Sequence, residues 1–326
     1  MKRLPLLGLL FCSLLLSGKP RFRVVTWNVE NLFDCRHDTL KEDKEFLPEG
    51  VRRWTRERYA QKLADVGRTL MSIGGDEPVA LIGLCEVEND SVMQSLTNQS
   101  MLRGQYQYVM TDSPDRRGID VALMYTSDFQ LLGNESKRVP SEAHGLPHTR
   151  DLLHAWGRLP SGDTLHVVVC HLPSRAGNKQ TSKQNRALAL QTLDRLVDSL
   201  ASHIPDCQLM IMGDFNSTLR ELKGMKSLWR GKPEEIPSAN MLIPLTPDNR
   251  YPTSGTYRFQ GNWSWIDHIM VTPSLYNKVS KAKLHTQPWM QRPLADGTWY
   301  PRRTYLGTTY NGGVSDHVPV YCDVYW

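Results

Sequence analysis

Leu209-Met210-Ile211-Met212-Gly213-Asp214-Phe215-Asn216 is the stretch on which the reading of the chain turns. Four apolar residues form the kind of short run that makes a buried strand. The run leads straight into a glycine, a carboxylate and an amide. A carboxylate at the end of an apolar strand is costly to desolvate and needs partners. Gly213 lets a neighbouring backbone approach closely. Asp214 and Asn216, two apart on extended chain, point to the same side. A local Asx-turn explains Asp-x-Asn equally well, so the octapeptide does not decide alone. It gains weight from five other polar fragments that end or interrupt apolar runs: Thr26-Trp27-Asn28, Cys85-Glu86, Cys170-His171-Leu172, Ile266-Asp267-His268 and Ser315-Asp316-His317. Together they imply one shared polar site at the edge of a sheet-based core.

The elements around these fragments mix strands and helices. Arg23 to Trp27 reads as a strand ended by Asn28, Pro78 to Leu84 as a buried strand delivering Glu86, and Asp120 to Tyr125 as another. Leu165 to Cys170 is a strand ending in His171, and Trp265 to Val271 and Val318 to Val324 are two more. Tyr59, Leu63, Val66, Leu70 and Ile73 recur at helical steps, with Thr55 as N-cap and Gly74-Gly75 as stop. A second helix is expected over 187–200. Residues 34–53, 133–150 and 173–185 read as loops, 220–260 lacks periodicity, and 285–313 is a long Pro/Gly/Tyr/Trp insertion. Strict βαβ alternation is missing, which favours two packed layers of sheet covered by helices over a Rossmann sheet.

The 326 residues, 40% hydrophobic and 22% charged, describe an ordinary globular protein. Lys2 and Arg3 precede an apolar run from Leu4 to Leu16 and then Ser17-Gly18, the pattern of a signal peptide over 1–18. The remainder, 19–326, is expected to be a single domain, exported to the periplasm or the extracellular space, monomeric and without stable membrane insertion. Cys12 leaves lipid anchoring open, although Phe11 before it is bulky for a lipobox. A formal net charge of +5 permits a polyanionic substrate without demanding one. Cys35, Cys85, Cys170, Cys207 and Cys322 show no zinc spacing, and their odd number leaves at least one unpaired within a monomer.

The six fragments hold the parts that phosphodiester hydrolysis needs. A hard divalent cation, bound by oxygen ligands, would neutralise the phosphate. Glu86 is the best single ligand, and Asn28 suits the metal shell or a phosphate oxygen. Asp214 can orient or activate water while Asn216 contacts phosphate or metal. His171 and His317 supply proton transfer near neutral pH. Asp267 is expected to orient His317, and Asp120 to orient His171. Asp316 is a further metal or tautomer-setting carboxylate. His268 should face away from Asp267 and be structural. Arg150 and Arg175 are candidate phosphate clamps, with surface salt bridges an equal alternative. Trp263 belongs to an aromatic cluster suited to stacking, for which packing is the competing role.

These fragments, with Leu84-Cys85-Glu86-Val87-Glu88-Asn89, Arg117-Gly118-Ile119-Asp120-Val121-Ala122-Leu123, His171-Leu172-Pro173-Ser174 and Ser315-Asp316-His317-Val318-Pro319-Val320, resemble the endonuclease/exonuclease/phosphatase superfamily with its deoxyribonuclease-I-like fold, over about 20–326. His171, where many nucleases of the superfamily carry Tyr, is more like the deoxyribonuclease-I branch and secreted bacterial relatives. The resemblance implies an α/β (α+β) fold, a four-layered sandwich of two packed, mainly antiparallel sheets flanked by helices. It implies a phosphoesterase dependent on Mg2+ or Mn2+, with Ca2+ as a further option. By resemblance Glu86 is the principal metal ligand with Asn28 beside it and Asp316 as a second metal-site carboxylate. His171 and His317 are then the acid/base and phosphate-binding imidazoles, Asp214 and Asn216 the water-orienting and phosphate-contacting pair, and Asp267 the carboxylate behind His317. Asp120 has no firm equivalent. The expected activity is an endonuclease on DNA or RNA. The alternative is a phosphatase or phospholipase-C-like esterase acting on a phosphorylated small molecule or lipid head group. A catalytically dead binding module would have lost metal or imidazole positions, and none is lost.

Overall fold

The computed structural model describes residues 22–174, 179–231, 235, 237–245 and 255–326. The signal-peptide pattern and Arg175 lie outside them. The chain runs through β1 (Phe22–Leu32), α1 (Arg56–Gly74), β2 (Leu81–Val87), α2 (Asp90–Asn98), β3 (Gln107–Met110) and β4 (Asp120–Tyr125). It continues through β5 (Gln130–Lys137), β6 (Leu152–Arg158), β7 (Thr164–His171), α3 (Lys179–His203) and β8 (Gln208–Asp214). Then come β9 (Ile243–Pro244), β10 (Tyr257–Phe259), β11 (Asn262–Ser264), β12 (Asp267–Val271), α4 (Pro273–Tyr276) and β13 (Lys283–Leu284). The last strands are β14 (Gln291–Pro293), β15 (Trp299–Pro301), β16 (Tyr305–Leu306), β17 (Thr309–Tyr310) and β18 (Val320–Val324).

Two six-stranded sheets result, ordered β13-β18-β1-β2-β4-β3 and β5-β6-β7-β8-β12-β9. Each is antiparallel except for one central parallel pair, β1 with β2 and β7 with β8. A helix makes each parallel crossover, α1 in the first sheet and α3 in the second. The strands alternate. Val24, Leu81, Val121 and Leu123 meet Val167, Val169, Met210, Met212 and Ile269 between the sheets. Val25, Trp27, Ile82 and Leu84 face outward against Leu63, Val66, Leu70 and Ile73 of α1. Val168, Ile211 and Met270 pack on Leu193, Leu196 and Val197 of α3. The layers are therefore helix, sheet, sheet, helix, the expected four-layered sandwich.

Several elements are longer than the residues alone indicated. β1 continues past Asn28 to Leu32 because Val29 and Leu32 remain buried. β5 occupies 130–137 and so runs into the stretch 133–150 expected as a loop, since its alternate residues are half exposed on an edge strand and lack an apolar run. α3 begins at Lys179, inside the polar stretch 173–185. α1 matches its expected limits, with the Thr55 side chain accepting from the Arg58 N–H and Gly75 closing the helix at φ 73°. The 285–313 insertion folds into two small hairpins, β14-β15 and β16-β17. No helix among the described residues is long and apolar enough to cross a membrane. The five described cysteines are unpaired.

Candidate active site

Strand alternation brings four polar residues to the same end of the inter-sheet space. Asn28 shares the inward parity of Val24 in β1, His171 that of Val169 in β7, Asp214 that of Met212 in β8, and Asp267 that of Ile269 in β12. The register aligns His171 with Asp214 and Asp214 with Asp267. Glu86 arrives differently. A bulge between Cys85 and Val87 shifts the register, and Glu86 itself sits at φ 65°, which aims its carboxylate at the cleft instead of at α1. Gly213 permits the close parallel pairing of β7 and β8: at φ 146° a Cβ there would lie 1.8 Å from the Cys170 carbonyl oxygen.

Asn28, Glu86, His171, Asp214 and His317 line one cleft of about 550 Å³, together with Glu30, Asn31, Arg117, Asn216, Tyr257, Phe259, Asp316 and others, and Asp267 stands behind His317 outside the lining. The Asn28 amide donates to Asp214 Oδ2 at 3.0 Å, and its oxygen accepts from the Glu30 N–H at 2.9 Å. Glu86 Oε2 accepts from the Asn31 N–H at 2.8 Å, and Oε1 lies 3.8 Å from His171 Nε2. His317 Nδ1 donates to Asp267 Oδ2 at 2.9 Å, and its Nε2 faces Asp214 Oδ2 at 3.8 Å. The loop before β18 is pinned at three points. The Trp27 indole N–H donates to the His317 carbonyl at 3.1 Å. The Ser315 hydroxyl donates to the Asn28 carbonyl at 2.7 Å and accepts from the His317 N–H at 3.0 Å. Tyr257 lays its ring 4.9 Å from that of His317.

The two imidazoles differ in charge. Burial works against a charged His317, but the carboxylates of Asp267 and Asp214 outweigh it and hold the imidazole well above its ordinary value. His171 is driven well below its ordinary value by burial, reinforced by Arg150, Arg117 and His317. His317 is thus an imidazolium and His171 a neutral imidazole. Burial also pushes the Asp214 carboxyl up to about 7, against the pull of His317 and with a further push from Asp267.

The donor set fits a hard divalent cation at Glu86 and Asn28. Both offer oxygen, the Glu86 carboxylate borders the cleft, and Glu30 and Asp214 add negative charge beside them. Asp214, Asp267 and His317 also gather within ligand reach of one another. There, however, the His317 Nδ1 and Asp267 Oδ2 atoms are spent on each other, and the Thr256 hydroxyl donates to the same Asp267 oxygen at 2.5 Å. Asp267 Oδ1 has no hydrogen-bond partner among the described residues, so the trio keeps donor atoms that suit either a proton or a cation.

Other expected residues are placed elsewhere or otherwise engaged. Asp120 does not reach His171. Its carboxylate is buried, accepting from the Thr111 and Ser113 hydroxyls at 2.5 Å each, and His171 Nδ1 has no hydrogen-bond partner among the described residues. Arg150 is buried beneath the site, paired with Asp115 at 3.1 Å and donating to the Leu172 carbonyl at 3.0 Å. It raises the local positive potential without lining the cleft. Trp263 packs edge-on against Trp299 at 4.9 Å, also outside the lining. Asp316 does line the cleft, but Arg303 holds it at 2.6 Å. Asp214 and Asn216 are joined by a local turn: Asp214 Oδ1 accepts from the Asn216 N–H at 2.7 Å, and Asn216 sits at φ 47°. Both still face the cleft. His268 points the other way, its Nε2 donating to the Ser217 carbonyl at 2.9 Å. Sequence reasoning overlooked Glu30, Asn31, Tyr257 and Phe259 as lining residues. Arg117, whose guanidinium donates to Asn31 at 2.6 Å, was visible only as part of a longer motif.

The sequence profile of the endonuclease/exonuclease/phosphatase family matches residues 23–325. The chain belongs to this family. No curated protein matches the sequence. Three solved structures illustrate the shared fold of this family member. Truncated TDP2 from Caenorhabditis elegans has a TM-score of 0.59 at 13% identity, over 94% of this chain and 98% of that one. A mannosyl-6-phosphatase of Bacteroides thetaiotaomicron gives 0.59 at 16% identity, over 94% and 100%. TDP2 from D. rerio, complexed with single-strand DNA product, gives 0.55 at 16% identity, over 93% and 98%. Family membership makes the chain a hydrolase of a divalent-metal-dependent group.

Proposed function

We propose that this hydrolase is a divalent-cation-dependent phosphodiesterase that cleaves nucleic acid, an endonuclease on DNA or RNA. The similar folds include both a protein solved with a DNA product and a sugar phosphatase, so the choice rests on the cleft of this chain. The observation that carries it is an aromatic border on the reacting centre. The Phe259 ring is 56% exposed and lies parallel to Tyr257, which in turn leans on His317. A flat apolar surface beside a charged phosphate site suits the base or sugar of a strand, and a phosphomonoester of a small polyol gains little from it.

Bound at Glu86 and Asn28, the cation would supply charge neutralisation at the phosphate. The chain's own residues do the rest. His317, kept protonated by Asp267 and Asp214, donates from Nε2 to a phosphoryl oxygen. Asp214, oriented by the Asn28 amide, accepts a hydrogen bond and then a proton from the attacking water as its oxygen bonds to phosphorus, while the ester P–O bond breaks and the leaving oxygen keeps the electron pair and takes a proton from solvent. Neutral His171 receives a hydrogen bond at its free lone pair or donates from its other nitrogen, according to tautomer. Asn216 and Arg117 border the phosphate and fix its orientation. The amino-terminal Lys2–Gly18 pattern adds the proposal of export, which fits scavenging of extracellular strands.

The test is incubation of the purified chain with Mg2+ or Mn2+ against plasmid, single-stranded oligonucleotide, RNA, bis(p-nitrophenyl) phosphate and a panel of phosphomonoesters. Strand cleavage that EDTA abolishes and His317→Ala suppresses is the expected result. Release of inorganic phosphate from monoesters with intact strands would move the chain to the phosphatase reading.

A further inference from the structure

A second cavity of about 420 Å³ adjoins the active-site cleft on the far side of Phe259. The two share Phe259 and Asp316 in their linings. The far side is built by the 285–313 insertion: Arg292, Leu294, Tyr300 and Pro301 of the β14-β15 hairpin, and Arg303, Leu306 and Asn311 beyond it. β10 supplies the partition. Its alternation sends Tyr257 and Phe259 toward the catalytic centre and leaves Arg258 on the other face.

The charge of this cavity is opposite to that of the cleft. Arg258, Arg292 and Arg303 line it against one carboxylate, Asp316. Asp316 is already matched by Arg303 at 2.6 Å. Among the described residues Arg258 is bonded only to neutral oxygens, donating to the Gly261 carbonyl at 3.2 Å, the Thr298 hydroxyl at 3.3 Å and the Trp299 carbonyl at 2.5 Å. Its guanidinium stacks 4.1 Å from the Tyr300 ring centroid, which fixes its plane. Asp296, the acid that feels Arg258, is occupied by the Thr298 N–H and hydroxyl at 2.9 and 2.7 Å. Arg292 is exposed, and its side chain has no hydrogen-bond or ion-pair partner among the described residues. Two guanidinium charges are therefore left without a bonded carboxylate, beside an exposed aromatic ring and the half-buried Tyr300. Planar donors of this kind suit a phosphate, and ring faces next to them suit a base.

We infer that this cavity is a subsite for the nucleotide adjoining the scissile phosphate: Arg258 and Arg292 take its phosphate, and Phe259 takes its base. The inference rests on the phosphodiesterase reading and narrows it to strands of at least two phosphates. A substrate carrying one phosphate and no neighbouring nucleotide leaves the subsite empty.

The experiment compares wild type with Arg292→Ala and Arg258→Met on a single-stranded oligonucleotide and on bis(p-nitrophenyl) phosphate. Arg292 is the primary site because its replacement breaks no side-chain hydrogen bond or ion pair among the described residues. The ratio of kcat/KM for oligonucleotide to that for the small diester should fall about tenfold in Arg292→Ala, the loss of one exposed charge-assisted contact. The slope of log KM against log salt on the oligonucleotide should shrink by roughly 0.7, the counterion equivalent of one single-strand phosphate. An unchanged ratio, or an equal loss on both substrates, would overturn the subsite. If wild type cleaves neither diester, the phosphodiesterase reading falls on its own. The subsite is then judged by anisotropy of a fluorescein-labelled dinucleotide: about tenfold weaker binding to Arg292→Ala supports it, and equal affinity sinks it.

Discussion

The ends of the two sheets that meet at the cleft are built by different rules. In the second sheet, His171, Asp214 and Asp267 fall into line because every second residue of β7, β8 and β12 faces inward, and the one backbone position under pressure is a glycine. In the first sheet only Asn28 arrives that way. Glu30, Asn31 and Glu86 all sit at positive φ, at 52°, 51° and 65°, a conformation costing of order 1 kcal/mol or more for a residue with a side chain. Something must hold them there. Lys62 of α1, fully enclosed, donates to the Glu30 carbonyl and to the Thr304 hydroxyl, while the Glu30 carboxylate accepts from the Thr304 N–H at 2.7 Å. Burial lowers the Lys62 pKa and pushes the Glu30 carboxyl up to about 7. One end thus inherits its geometry from strand periodicity. The other is kept in shape by a buried polar anchor reaching from α1 to the insertion.

The division of labour is the first thing to break. If His317, bonded across to Asp267 of the second sheet, carries proton chemistry and Glu86 of the first carries the cation, the two should fail differently. His317→Ala should lower kcat by roughly 10²–10⁴-fold at every Mg2+ concentration, read from steady-state rates at saturating diester. Glu86→Gln should instead weaken Mn2+ binding in the absence of substrate, measured by electron paramagnetic resonance. Matching Mn2+ affinities in wild type and Glu86→Gln would remove Glu86 from the cation site.

Gly213→Ala attacks the periodic end. The added Cβ must displace the Cys170 carbonyl and separate the parallel pair, at a cost of about 3 kcal/mol in unfolding free energy. Urea denaturation gives the number. A loss below about 1 kcal/mol would mean that β7 and β8 part easily and that the alignment of His171 with Asp214 is softer than their register suggests. Lys62→Met attacks the other end. It leaves the Glu30 carbonyl and the Thr304 hydroxyl without their donor, worth about 1–3 kcal/mol, partly offset by release of a buried ammonium. Because Asn31 bonds Glu86, kcat should fall along with stability. Full activity at reduced stability would show that the anchor serves the fold alone.

This contrast also explains what was legible beforehand. Asn28, His171, Asp214 and Asp267 could be read from the residues because period-two alternation needs no knowledge of tertiary structure. A close backbone approach at Gly213 was legible too, but not that the approaching chain is the parallel strand β7. Glu86 was found only by its position after an apolar run, and the bulge that aims it leaves no mark in composition. Asp120 shows the converse. It begins β4 directly opposite Val87, close to the site along the sheet, yet two hydroxyls nine and seven residues upstream, those of Thr111 and Ser113, satisfy its carboxylate first. Phe259 and Arg258 were invisible because β10 is three residues long and shows no periodicity; its place is set by the backbone bridge between Tyr257 and His317.

The smallest expected effect concerns imidazoles that share the sheets with His317 but carry no carboxylate strong enough to keep them charged. His166 of β7 donates from Nδ1 to His154 Nε2 at 3.1 Å, and His154 Nδ1 in turn donates to Glu135 at 2.9 Å. These tautomers are the pair that satisfies both bonds. Burial, with a contribution from His154, lowers His166 to about 4, and burial alone is the leading cause of values near 4 at His268 and His285. Unfolded histidine titrates near 6.5. Between these values the unfolded chain binds protons that the folded chain refuses. The contribution of these groups to stability is therefore intact above about 6.5 and is lost as pH falls toward 4. His317 works in the opposite sense, its raised pKa adding stability that is complete below about 6.5 and fades as pH rises well beyond it. Replacing His166 by Gln keeps a donor for His154 and removes one titration. The fall in unfolding free energy between pH 6.5 and 4.5 should be shallower in His166→Gln than in wild type, by urea denaturation at each pH. Parallel curves would mean that His166 accepts its proton without resistance, and that only the catalytic end of the sheet sets imidazole charge.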